Sequence, residues 1–112
     1  MSRSVHLINL LNMNSPLHII SEELNKFSWD SDEELENLTR QHILNALKKY
    51  QQDEVNETEI EKWANLIEGR EDIGRENSYE SVINMVLNEL ANPLLTEPLT
   101  KERAIILSNK LK

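Results

Sequence analysis

Apolar residues recur along this chain in steps of three and four, and polar punctuation cuts the pattern into short helical lengths. Ile43, Leu44, Leu47 and Tyr50 share one face behind Thr39, which predicts a helix from about residue 40 to about 51 with threonine as its N-cap. Gln51, Gln52 and Asp53 break that pattern. Asn56, followed three residues later by Glu59, then has the spacing of a capping box, and Ile60, Trp63, Ala64 and Ile67 make the apolar face of the next helix. Gly69 stands where a C-terminal cap at positive φ is expected. These two helices form a hairpin around which the rest of the chain is organised.

The flanking segments follow the same rules. SVHLINLLNM, residues 4–13, is too short for periodicity to separate helix from strand, and helix is preferred. Ser15-Pro16 opens a helix to about Phe27, with serine as cap, burying Leu17, Ile20, Leu24 and Phe27. Ser31 with Glu34 makes a second capping box and predicts a short acidic helix from Asp32 to Leu38, anchored by Leu35 and Leu38. The polar stretch after Gly69 reads as a loop. Asn77 with Glu80 caps a strongly apolar helix through Tyr79, Val82, Ile83, Val86, Leu87, Leu90 and Ala91, which Asn92-Pro93 ends. A proline-punctuated connector, PLLTEPL, leads to a last helix capped by Thr100 that uses Ala104, Ile105, Leu107 and Leu111. The expected fold is all-α: a single domain over residues 1–112, a helical bundle or orthogonal array of five to seven short helices.

Composition narrows the class. A chain of 112 residues supports one core. It has no cysteine, hence no disulfide, thiolate metal site or cysteine nucleophile, as expected in a reducing compartment. The short apolar run from Val5 to Leu11 is no signal peptide and falls far below the roughly 18 apolar residues of a spanning helix. A cytoplasmic location is expected, which makes the sequons at Asn37 and Asn56 chance matches.

The formal net charge of −8 is concentrated in two blocks. Residues 22–36 hold seven acids against Lys26, and residues 53–80 hold ten against Lys62, Arg70 and Arg75. Such a balance argues against direct binding to nucleic acid or to an anionic membrane. At 100° per residue, Glu57, Glu61 and Glu68 fall within about 40° of one another on the second hairpin helix. Aligned like charges cost stability, and a cationic partner relieves that cost. As a solvated face the stripe asks for nothing further; as a recognition surface it is Glu57, Glu61, Glu68, Glu71 and Asp72, with Asp30, Asp32, Glu33 and Glu36 as a second patch and Trp29 as an aromatic anchor beside it.

Catalytic chemistry finds no motif. There is no HExxH, phosphate loop or dinucleotide fingerprint, and His6, His18 and His42 lack paired-ligand spacing. Asp30, Asp32 and Glu34 imitate the start of a calcium loop, but Leu35 stands in place of its glycine and Gln41 in place of its bidentate glutamate. No enzyme activity, cofactor or metal is expected.

The stretches LTRQHILNALKKY, ETEIEKWANLIEGREDI and ELANPLL, over about residues 38 to 95, are similar to parts of short bacterial proteins. As a small acidic helical chain with clustered carboxylates, the whole also resembles bacterial immunity proteins, the antidotes made against a cell's own bacteriocin or contact-dependent growth inhibition toxin. Ser31-Asp32-Glu33-Glu34 is like the serine-acid-acid capping segment often found in immunity proteins of nuclease colicins. The adjacent tyrosine pair of those proteins has no counterpart, since Tyr50 and Tyr79 stand alone, so the resemblance assigns no binding residue. It implies a monomer that forms a 1:1 complex with a basic toxin domain, a nuclease or RNase, and occludes its active site. The alternatives are a regulatory adaptor whose carboxylates serve solubility, and an acidic nucleic-acid mimic that blocks a DNA-binding protein.

Overall fold

Leu7, Leu10 and Leu11 point inward from the first helix, α1 (Arg3–Asn12), so its short apolar run is helical. The computed structural model describes residues 3–26, 36–70 and 72–112. Phe27, the Ser31–Glu34 capping box and the front of the expected acidic helix lie outside the described residues. Met13 closes α1 at φ 53, with its own N–H on the Leu10 carbonyl and the Asn14 N–H reaching back to Asn9, the paired bonds of a Schellman turn. The second helix, α2 (Leu17–Leu24), buries Ile20 and Leu24; its N-cap is Pro16 itself, without a side-chain cap from Ser15.

Residues 36–38 correct the expected acidic helix. They form a strand, β1 (Glu36–Leu38), that pairs in parallel with β2 (Ile73–Arg75) in the stretch read as loop. Glu36 lies opposite Ile73, Asn37 opposite Gly74 and Leu38 opposite Arg75. Extended backbone wins here for two reasons. Thr39 must itself be extended (φ −110, ψ 164) to cap the next helix, and Leu38, Ile73 and Gly74 are buried where their backbone groups need partners. The fold is mostly helical with six helices and this one strand pair among the described residues.

Both hairpin helices lie between the paired strands in sequence: α3 (Arg40–Gln51) and α4 (Glu57–Glu68). Each begins with a capping box. Asn56 and Glu59 exchange bonds at α4; at α3, Thr39 accepts from the His42 N–H, and His42 Nδ1 accepts from the Thr39 N–H at 3.0 Å. Asp53, at φ 61, closes α3 in a second Schellman turn. Gly69 does not take the expected positive φ: it sits at φ −82, ψ 0, a conformation open to any residue.

The fifth helix, α5 (Glu80–Ala91), buries Ile83, Val86, Leu87, Leu90 and Ala91. Asn77 does not cap it. Ser78 turns to φ 71, and Tyr79 becomes the N-cap without a side-chain bond, its ring lying exposed under the Arg40 guanidinium at 3.4 Å. The last helix, α6 (Lys101–Leu111), is capped by Thr100 and buries Ala104, Leu107 and Leu111. Ile105, expected inside, is 54% exposed. Trp63 is fully enclosed at the centre, where α2, α3 and α5 pack around α4 and α1 meets it at Leu10. No helix among the described residues is long and apolar enough to cross a membrane.

Candidate functional site

The α4 edge is built by its own cap. The Asn56–Glu59 box fixes the first turn, placing Glu57 and Glu68 in solvent and Glu61 half-buried beside the core face of Ile60, Ala64 and Ile67. Glu57 sits in the first turn, where the helix dipole favours an anion. Glu68 ends the helix, where the dipole disfavours one, and the last turn holds no basic residue. None of the three forms an ion pair among the described residues.

Several carboxylates elsewhere are neutralised. Arg70 clamps Asp72 through two 2.8 Å bonds, with Asp72 only 4% exposed. Arg103 holds Glu89 at 2.6 and 2.7 Å, and Lys101 reaches Asp53 at 2.7 Å. Arg40 holds Glu76 with both its backbone N–H and its guanidinium, which keeps the Glu76 carboxyl below its ordinary value and raises the Arg40 guanidinium. None of these ion pairs involves the α4 edge.

Asp72 must leave the contact set expected from sequence. It is buried and committed to Arg70 because β2 begins at the next residue and draws the chain inward. Glu36 is half-buried at the start of β1, and its N–H donates to the Asp72 carbonyl at 3.4 Å. The strand pair thus joins the two acidic blocks, which are separate in sequence. Trp29, Asp30, Asp32, Glu33 and Glu71 lie outside the described residues.

One further carboxylate belongs with the edge. Glu54 is exposed and lines, with Glu57, Asp53 and Lys101, a cleft of about 250 Å³ where α3 turns into α4. Its signal in the sequence was its position two residues before the cap, but only the turn at Asp53 sets it beside Glu57. His42 is half-buried in the α3 cap, and burial lowers its pKa against the opposing pull of Glu36 and Glu76. The clue was Thr39-x-x-His42, which has capping-box spacing with imidazole in place of carboxylate.

Among the described residues no group of three or more His, Asp or Glu is placed to hold a metal ion. Thr39 and His42 are close, at 3.1 Å, but each is occupied by the other's backbone N–H, so the pair is a cap. What the α4 edge offers chemically is a row of unneutralised carboxylates about 16 Å long, by the rise of its helix, suited to cationic surfaces. Comparison of the chain with protein families, with curated proteins and with solved structures found no match.

Proposed function

We propose that this chain is an immunity-type binding protein, a cytoplasmic monomer that covers the cationic active-site cleft of a toxin domain with the acidic edge of α4. A nuclease is the simplest such toxin, because a phosphate-binding cleft is cationic by necessity. One observation carries the reading: cations neutralise Asp53, Asp72, Glu76 and Glu89, while Glu54, Glu57, Glu61 and Glu68 are left without an ion pair among the described residues. Glu68 adds weight, since a carboxylate at a helix C-terminus costs stability that an external cation recovers. An unscreened acidic edge also speeds encounter with a basic partner, toward about 10⁸ M⁻¹s⁻¹ at low salt, and an antidote needs speed.

The test is capture of partners on the tagged protein at low salt and at about 0.5 M salt, where the Debye length falls to about 4 Å. The expected result is a basic domain held at low salt whose nuclease activity is abolished by the wild-type protein and restored when Glu54, Glu57, Glu61 and Glu68 are changed to glutamine. A partner held equally well in both salts, and equally by the glutamine variant, would replace this reading with that of an adaptor.

A further inference from the structure

On another face of the molecule α3 and α6 pack together, with Lys101 at the start of α6 donating to the Tyr50 carbonyl at the end of α3. Between them lies a groove of about 580 Å³. Leu44, half-buried, and Ile105, 54% exposed, give it an apolar floor; Lys48 and Lys112 line it, and its remaining lining is amides and one serine. No acidic side chain lines it, although the chain holds 20 acids. An adjoining cleft of about 610 Å³ shares Gln41 and Asn45 with the groove, adds Lys49, and is likewise free of acids.

We propose that the α3–α6 groove is a docking surface for an acidic amphipathic helix of a partner protein, distinct from the acidic edge of α4. Three features select that occupant. Lys48 and Lys112 form no ion pair among the described residues, as Lys49, Lys62 and Lys110 also do not, so their charges stay available to a partner, and here no acidic side chain stands beside them. Helix dipoles explain a lysine at the C-terminus of each helix but not the absence of acidic side chains between them. The exposed Ile105 opposite Leu44 offers a small apolar seat for an anchor side chain, in the manner of a helix lying in a groove. The lined stretch from Gln41 to Gln51 is about 15 Å long, which accommodates roughly ten residues of helix. The groove contains no arginine and no aromatic ring, the residues that grip phosphates bidentately and stack bases, so a peptide fits its chemistry better than a nucleic acid does.

The test uses the whole chain and a fluorescein-labelled peptide of about 14 residues, helical by design, with a leucine stripe flanked by glutamates. A second peptide carries lysine for every glutamate. Binding is followed by fluorescence anisotropy and mapped by amide chemical shifts. The expected result is saturable binding of the acidic peptide alone, with shifts confined to residues 41–52 and 104–112. Lys48→Glu/Lys112→Glu should weaken it about tenfold or more, and Lys48→Gln/Lys112→Gln by less, since a reversed charge repels where a neutral one only fails to attract. Both lysines are exposed, and circular dichroism verifies that the variants fold. Shifts centred elsewhere, equal binding of the lysine peptide, or indifference to the lysine variants would overturn the proposal. So would stronger binding of a single-stranded oligonucleotide at the same amides. Sedimentation showing a wild-type oligomer that Lys48→Glu/Lys112→Glu dissociates would assign the groove to a second copy of the chain instead.

Discussion

The indole N–H of Trp63 donates to the carbonyl of Leu10 at 2.7 Å, joining the middle of α4 to the last turn of α1 across 53 residues of chain. That carbonyl, at the end of its own ladder, already accepts the Met13 N–H of the Schellman turn, and the core tryptophan supplies a second donor to its other lone pair. The ring is fully buried, so burying its polar edge is possible only because this acceptor is present. Packing and hydrogen bonding are satisfied by one residue.

Trp63→Phe should therefore lose both a bond and volume, destabilising the protein by about 2–4 kcal/mol. Urea unfolding followed by circular dichroism measures this directly. A loss under about 1 kcal/mol would mean that the bond to Leu10 contributes little beyond packing.

His42 predicts a pH dependence. Burial depresses its pKa below the ordinary 6.5, so the unfolded chain takes up a proton that the folded chain resists. Stability is full above that value and falls as pH drops through 6.5 toward the lower folded pKa. Protonation also removes the Nδ1 acceptor on which the Thr39 N–H depends. His42→Gln keeps an acceptor that does not titrate. Thermal melts across pH 7.5 to 5.5 should show the slope in the wild type and lose most of it in His42→Gln. Acid loss from Glu76, which Arg40 holds below its ordinary 4.5, begins only at lower pH and stays in both proteins.

Two backbone substitutions should act in opposite directions from those expected of their residue types. Gly69→Ala should stabilise by about 0.4–1 kcal/mol, because φ is −82 and an added Cβ meets only the Asn65 carbonyl at 3.5 Å, an ordinary contact. Ser78→Gly should stabilise by about 0.5 kcal/mol, since φ 71 burdens serine and spares glycine. Denaturant midpoints decide both, and a Gly69→Ala loss above about 1 kcal/mol would point to a left-handed cap in solution.

On the α4 edge, Glu68→Gln should raise stability at low salt by about 0.3–0.5 kcal/mol, because it removes an anion from the negative end of the helix dipole. Glu57→Gln should lower it by a similar amount, as it removes an anion from the positive end. Both effects should shrink in about 0.5 M salt. If Glu68→Gln is stabilising yet slows binding of the partner, the carboxylate serves recognition at the expense of the fold.

The sequence by itself determined what neighbours along the chain decide. Thr39, Asn56 and Thr100 start their helices as their spacing predicts, and the faces of Ile43, Leu47, Ile60, Trp63 and Ile67 are buried as their period requires. A helix satisfies its own backbone within a few residues, so its signal is local. The tertiary structure alone decided what depends on distant partners. Pairing of residues 36–38 with 73–75 leaves no local mark, since each strand is three residues long and its hydrogen bonds go to the other. That pairing carries the rest with it: it buries Asp72 against Arg70, sets Glu36 beside it, and brings Glu76 onto the first turn of α3. The acidic stripe on α4 was legible because three carboxylates share one helix face, whereas its lack of any ion pair among the described residues, and the groove without acidic side chains between α3 and α6, exist only once segments tens of residues apart have packed.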